Sequence, residues 1–102
     1  QFGTPTSTEE LVKAIDSILF TKNYGIYHAT CEGSCNWAEF AEEIFRLAGK
    51  DTKVIGISTE EYGAPANRPA HSILENRMLK AVGGYTFCDW HDAIKKYIEE
   101  LN

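Results

Sequence analysis

The sequence predicts a small α/β domain in which helix is more abundant than strand. Apolar residues recur at helical spacing in separate stretches, and two short β-rich runs, "GIYHAT" and "KVIGIS", lie between them. A length of 102 residues with 43% hydrophobic residues suits one domain with a modest core. We therefore expect about four helices and two or three short strands, two of them at residues 25–30 and 53–58.

The first helix is predicted over residues 8–19, where apolar side chains repeat on one face. Either of two pairs, Ser7 with Glu10 or Thr6 with Glu9, forms a capping box immediately before or within its first turn. The start of this helix is therefore expected close to residue 8.

Three further helices are expected downstream. Asn36 resembles a second N-cap, and the apolar stripe after it predicts a helix that ends near Gly49. A short helix near 75–82 is expected to stop at a glycine pair, and Asp89 is expected to cap the last helix. The segment 59–72 is predicted to be a loop because of its Gly and Pro content.

Aromatic residues at the helix starts have a structural interpretation. Trp37 and Trp90 each follow a helix cap and have apolar partners on the next turns. We expect both to pack in the core or at a domain interface. His28, in the first predicted strand, is also expected to be structural.

Charge and hydropathy disfavour two classes of partner. The formal net charge of −5 argues against a general nucleic-acid binder. No apolar run approaches the roughly 20 residues that cross a bilayer. We therefore expect neither nucleic acid nor a membrane as a partner.

The cysteines favour a reduced, cytoplasmic setting, because three is an odd number for a disulfide framework. The run "HATCEGSC" places His28, Cys31 and Cys35 close together, which resembles part of a zinc site. A second pair of ligands is missing, with only Cys88 and His91 as candidates. We favour small buried thiols and expect no metal-binding residue.

Dinucleotide-binding and catalytic motifs are absent from the sequence. There is no G-x-G-x-x-G, no G-x-S-x-G, and no Tyr followed four residues later by Lys. We expect neither catalytic nor cofactor-binding residues in this chain.

One loop is chemically unusual. In "EYGAPANRPAHSIL", Pro65 and Pro69 flank Arg68 and restrict the backbone around it. A planar guanidinium held in this way matches the oxygens of a phosphate group. The alternative interpretation is that Arg68 pairs with a nearby acid, Glu60 or Glu61.

Four segments in order resemble the C-terminal third of the dTDP-4-dehydrorhamnose reductases, which are extended short-chain dehydrogenases/reductases. They are "QFGTPTSTEELVKAI", "GIYHATCEGSCNWAEFAEEIF", "EYGAPANRPAHSIL" and "DWHDAIKKYIEEL". The resemblance covers essentially the whole chain. It implies that residues 1–102 form the C-terminal substrate-binding part of an extended Rossmann-type reductase, and that the N-terminal NAD(P)-binding part is not included.

The resemblance implies a reaction for the longer protein. Such reductases transfer hydride from NADPH, or sometimes NADH, to the C4 keto group of dTDP-4-dehydro-L-rhamnose. The product, dTDP-L-rhamnose, is a precursor of bacterial surface polysaccharides. The cofactor and the Tyr-x-x-x-Lys acid belong to the N-terminal part, so this chain alone is expected to be inactive and to bind no cofactor.

At the matching positions, the resemblance implies that Arg68, Trp37, Ser72 and Thr6 contact the dTDP-sugar. The family often has two consecutive arginines before the proline, and here the first of them is Asn67. This difference halves the local positive charge. Other classes also stay open: a sibling nucleotide-sugar epimerase or dehydratase, a non-catalytic regulatory relative, and a free-standing zinc or interaction module.

The resemblance also implies that the first helix and the "GIYHAT" strand lean on the missing Rossmann sheet. Without that sheet, the strand has an unpaired edge and apolar side chains meet water. We expect self-association, or an exposed apolar patch around Leu11, Ile15, Ile26 and Tyr27.

Overall fold

A computed structural model describes residues 1–101 of the chain as five helices and a two-stranded antiparallel sheet, which confirms a small, mostly helical α/β fold. None of these helices is long and apolar enough to cross a membrane. In chain order the elements are β1 (Phe2–Gly3), α1 (Thr8–Leu19), β2 (Cys35–Asn36), α2 (Trp37–Leu47), α3 (Thr59–Tyr62), α4 (Arg77–Ala81) and α5 (Trp90–Leu101).

Helix α1 has the predicted bounds, and Ser7 is its N-cap. The Ser7 hydroxyl accepts a hydrogen bond from the Glu10 backbone N–H at 3.2 Å. Thr6 does not cap the helix, because its hydroxyl is used elsewhere. The Glu10 side chain turns away from the cap toward Tyr85 and Cys88 in a distant segment.

Helix α2 is capped at its N-terminus and ends at its C-terminus as the sequence predicted. Asn36 accepts from the Glu39 N–H at 2.8 Å, and the Glu39 carboxylate accepts from the Asn36 N–H at 3.1 Å. At the other end, Gly49 adopts a left-handed φ of 70°. The N–H of Lys50 reaches the carbonyl of Phe45 at 2.8 Å, as in a Schellman motif.

The predicted strands at 25–30 and 53–58 are wrong for this chain. Both segments lack a backbone ladder, and the strands lie at β1 and β2 instead. Within residues 1–101 the segment 25–30 has no partner strand. The backbone of its last residue, Thr30, is instead hydrogen-bonded to a side chain. The Asn76 amide accepts from the Thr30 N–H at 2.9 Å and donates to the Thr30 carbonyl at 2.7 Å.

Two smaller expectations also change. The segment 59–72 is not entirely loop, because Ser58 caps the single turn of α3 by accepting from the Glu61 N–H at 3.1 Å. Helix α4 is shorter than the predicted 75–82. Asn76 stands at its N-cap position without capping it, because its amide is already bonded to Thr30.

The last helix begins as predicted. The Asp89 carboxylate accepts from the His91 N–H at 2.9 Å, which satisfies one of the free donors in the first turn of α5. Helix α5 packs against α2.

A small core lies between these elements. Its buried residues are Ala14, Cys31, Cys35, Leu79, Phe87 and Trp90. Trp90 is 3% exposed, which confirms its predicted core position. Trp37 is 70% exposed, so it does not pack in the core of this chain, and packing at a domain interface stays a prediction. Phe40 lies between the two indoles and meets each of them edge-on.

Three of the four residues of the predicted apolar patch are exposed. Leu11, Ile15 and Ile26 are exposed, Ile26 to 89%. Tyr27 differs, because its ring packs against the core and its hydroxyl donates to the Asn23 carbonyl at 2.6 Å.

Candidate functional site

Strand β1 fixes one end of the arginine-bearing loop, which we define as the Arg68 loop, residues 63–72. The Phe2 N–H donates to the Ala70 carbonyl at 2.7 Å, and the Ser72 N–H donates to the Phe2 carbonyl at 2.8 Å. The rings of Phe2 and His71 stack with their centroids 5.2 Å apart. Through these contacts the end of the loop lies beside β1 as a short parallel addition to the sheet, with His71 bridged to Phe2.

The other end of the Arg68 loop begins at Gly63, which ends α3 with a left-handed φ of 69°. The chain can reverse here because glycine has no Cβ to clash. The loop is thus held between α3 and β1, with Arg68 near its anchored end.

Arg68 is exposed and has no ion-pair partner among residues 1–101. The alternative pairing with Glu60 or Glu61 is therefore not seen. The Glu61 carboxylate instead accepts from the Ser58 hydroxyl at 3.3 Å. The Arg68 guanidinium keeps its fork of donors available for an anion.

Thr6 and Ser72 use their hydroxyls to hold the backbone. The Thr6 Oγ1 accepts from the Cys31 N–H at 3.1 Å and donates to the Thr4 carbonyl at 3.2 Å. The Ser72 Oγ donates to the Phe2 carbonyl at 3.3 Å. Each hydroxyl has lone pairs left for a ligand, but its donor is already engaged.

Trp37 directly follows β2, and β2 and the end of the Arg68 loop are both paired with β1. Trp37 follows Asn36, which pairs with Phe2 across the sheet, while Phe2 also bridges to His71. The exposed indole and the arginine loop are therefore both tied to the same two-residue strand.

Neither of two surface depressions found among residues 1–101 joins these residues. One lies beside Arg46 and Gly49 and the other between Glu43 and Trp90, and neither contains any of the four predicted substrate contacts. An open site of this kind requires further walls to bury a nucleotide-sugar.

Asp89 and Trp90, which begin the segment "DWHDAIKKYIEEL", have a structural role. The Trp90 indole N–H donates to the Ser34 carbonyl at 3.2 Å. Gly33 has a φ of 84°, and a Cβ there would lie 2.6 Å from the Asp89 carboxylate. The pair thus holds the loop that leads into β2 and, through β2, the position of Trp37.

Glu10 is a buried carboxylate that the sequence assigned only to helix capping. It accepts from the Tyr85 hydroxyl at 2.7 Å and from the Cys88 N–H at 3.0 Å. Burial opposes ionisation, but these hydrogen bonds and nearby Lys13 lower the pKa of Glu10. The hydrogen bond that the Tyr85 hydroxyl donates to the Glu10 carboxylate is the main reason that the pKa of Tyr85 rises to about 12.

The thiols are arranged differently from the sequence pattern. His28, Cys31 and Cys35 do not form a ligand group within residues 1–101. Cys31 instead meets Cys88 and Glu10, with one ligand atom from each of the three residues within 4.8 Å of the others. Burial raises the pKa of Cys31, and burial with the Glu10 carboxylate raises that of Cys88 to about 12.

Neither this cluster nor the pair of hydrogen bonds between Asn76 and Thr30 could be predicted from the sequence, because both join segments far apart in the chain. The only local sign was the Ser7-x-x-Glu10 box, which predicts a different use for Glu10.

Comparisons with known proteins agree with this architecture. The family model described as "RmlD substrate binding domain" matches residues 1–102. The spore coat polysaccharide biosynthesis protein SpsK of Bacillus subtilis is 38% identical over 100 residues, which cover 98% of this chain and 35% of that protein.

Two crystal structures have the same fold. A dTDP-4-dehydrorhamnose reductase from Clostridium acetobutylicum matches with a TM-score of 0.95 and 46% identity over 99% of this chain. One from Bacillus anthracis, in complex with NADP, matches with a TM-score of 0.94 and 38% identity over 98%. The chain spans 36% of each of these structures. This chain belongs to the RmlD substrate binding domain family.

Proposed function

We propose that residues 1–102 are the substrate-binding part of a reductase that converts dTDP-4-dehydro-L-rhamnose to dTDP-L-rhamnose with NADPH, or with NADH. The observation that carries this proposal is the correspondence of 99% of the chain to a dTDP-4-dehydrorhamnose reductase at 46% identity. The product would serve bacterial surface polysaccharide synthesis. This use is in keeping with the printed name of the SpsK relative.

Arg68 is the residue that we propose binds the diphosphate of the dTDP-sugar. Its guanidinium is exposed and unpaired in the described chain, and the hydrogen bonds of Phe2 fix the loop beside it. Two parallel N–H···O bonds to phosphate oxygens would fit this geometry. Because the loop is already ordered by β1, binding would cost less conformational entropy.

Trp37 is the second proposed contact. An exposed indole next to an ordered helix start offers a flat apolar face, which suits packing against a sugar or a thymine ring. Thr6 and Ser72 would contribute mainly by holding the backbone that carries these two residues, with a direct contact limited to their remaining lone pairs.

The chemistry of hydride transfer is proposed to lie outside this chain. The described residues offer no glycine-rich turn at a helix start and no Tyr-x-x-x-Lys acid, so they do not fit a nicotinamide cofactor. We therefore propose that an NAD(P)-binding Rossmann part of the same polypeptide precedes residue 1 and docks on the exposed face of α1. The three free cysteines support a cytoplasmic location.

The test compares the reductase polypeptide that carries this chain with the 102-residue chain alone, following NADPH oxidation with dTDP-4-dehydro-L-rhamnose. The longer polypeptide should turn over and the chain alone should not. Turnover by the chain alone would contradict the proposed division of labour. A longer polypeptide that binds the dTDP-sugar but never oxidises NADPH would favour a regulatory relative.

The role of Arg68 has its own test in the same polypeptide. Arg68→Ala should lower kcat/KM by roughly tenfold to a hundredfold, since a charge-assisted hydrogen bond contributes about 1.5–3 kcal/mol. The loss should appear mainly in KM for the dTDP-sugar, with KM for NADPH nearly unchanged. Arg68→Lys should recover only part of it.

Arg77 provides the matched control, because it is also exposed and unpaired in the described chain but lies on α4. Arg77→Ala should leave KM for the dTDP-sugar within about twofold. An Arg68→Ala variant with a normal KM and a lower melting temperature would mean that Arg68 only supports its loop.

A further inference from the structure

The cluster of Glu10, Cys31 and Cys88 has no part in the proposed substrate site. Each residue comes from a different segment: α1, the stretch before β2, and the residue before the cap of α5. Their ligand atoms all lie within 4.8 Å of one another. We propose that this cluster is a binding site for one thiophilic divalent cation, Zn²⁺ or Cd²⁺.

The spacing is close to what such a cation requires. With Zn–S bonds of about 2.3 Å in a tetrahedral site, two ligand sulfurs stand about 3.8 Å apart. Because the ligand atoms already lie within 4.8 Å of one another, the two sulfurs need to approach by at most about an ångström on binding. Two thiolates and a carboxylate leave the fourth position for water.

The carboxylate ligand is already oriented. The Tyr85 hydroxyl and the Cys88 N–H hold the two oxygens of Glu10 at 2.7 and 3.0 Å, which leaves a lone pair on each oxygen. Outer partners of this kind fix metal ligands in proteins. The Cys88 side chain is only partly buried and gives the cation a way in, whereas Cys31 is 2% exposed.

The exchange of protons for a cation balances in charge. Without a cation, the cluster contains one carboxylate and two protonated thiols. One divalent cation would replace the two thiol protons and release them to solvent, so the cluster keeps its net charge of −1. This exchange needs no oxidant.

The test is a titration of the purified, reduced chain with Cd²⁺, followed by its ultraviolet thiolate charge-transfer absorption, with Zn²⁺ as competitor. We expect one Cd²⁺ per chain and displacement by Zn²⁺. Cys88→Ala and Cys31→Ser should each lower affinity by more than about a hundredfold, and Tyr85→Phe by about 10–100-fold as an outer partner.

Cys35→Ala is the matched control, because Cys35 is also buried but lies outside the cluster. It should keep the wild-type affinity and stoichiometry. Circular dichroism of each variant checks its fold; if Cys31→Ser unfolds, Cys88→Ala, at the more exposed thiol, carries the test. A wild-type chain without the thiolate band, or a band that survives Cys88→Ala or disappears with Cys35→Ala, overturns the proposal.

Discussion

Replacement of Asn76 by alanine should destabilise the domain more than its single side chain suggests. Asn76 is 3% exposed, and its side-chain amide makes both hydrogen bonds of the Thr30 backbone, at 2.9 and 2.7 Å. Thr30 is itself buried, at 6%. Asn76→Ala therefore leaves one N–H and one carbonyl without partners in a place with little access to water.

Each unsatisfied group costs about 1–3 kcal/mol, so the two together cost about 2–6 kcal/mol. Water that enters the gap left by the amide favours the lower half of this range. Since 1 kcal/mol shifts the melting temperature of a domain this size by about 4–8 °C, even 2 kcal/mol lowers it by about 8–16 °C. This is a large share of a typical stability of about 5–15 kcal/mol.

The assay is urea unfolding of the purified chain, followed by circular dichroism. Asn76→Asp should also be destabilising, since it keeps the acceptor for the Thr30 N–H but turns an anion toward the Thr30 carbonyl. Asn67→Ala is the matched control because Asn67 is exposed on the Arg68 loop. An Asn76→Ala variant within about 0.5 kcal/mol of wild type would refute the reasoning.

Three further predictions concern stability and assembly. Gly33→Ala should destabilise the chain more than Gly63→Ala in the same unfolding assay. Both glycines have a left-handed φ, but of the two only Gly33 would place a Cβ against a neighbour, 2.6 Å from the Asp89 carboxylate. Equal losses of stability would mean that the Asp89 side chain moves aside freely. Because the pKa of Glu10 is lowered from 4.5, its contribution to stability should be present above pH 4.5 and fade as pH falls through its folded-state pKa. Glu10→Gln should therefore be less stable than wild type at neutral pH and closer to it in acid, and a gap that does not change with pH would contradict this. The chain alone should self-associate in sedimentation experiments because of its exposed apolar face, and a monomer at all concentrations would count against it.

The sequence was a good guide to features that depend on neighbouring residues. Local hydrogen bonds set the bounds of α1 and the capping box at Asn36. The end of α2 at Gly49 follows from the ability of glycine to adopt a left-handed φ. The family resemblance also rested on short motifs, and the family match over residues 1–102 confirms it.

The sequence was a poor guide to strands, because a strand exists only with a partner. Residues 25–30 have the composition of a strand, but within residues 1–101 no backbone lies beside them to complete a ladder. Conversely, Phe2–Gly3 is too short to show a pattern, yet it pairs with Cys35–Asn36 and the segment 70–72. Helical spacing likewise left open whether Trp37 packs in the core or at a domain interface, since spacing does not tell which face of a helix is covered within the chain.

The four residues predicted to contact substrate therefore separate into two kinds, and the difference can be measured. Thr6 and Ser72 already use their hydroxyl donors on backbone carbonyls, so their loss should lower stability before it alters binding. Arg68 and Trp37 are exposed and support little of the fold, so their loss should alter binding before stability. Because β1 ties the Arg68 loop to β2 and so to the start of α2, a change at Ser72 would displace the loop that carries Arg68. A binding defect in a Ser72 variant must therefore be compared with its unfolding free energy before it is assigned to a direct contact.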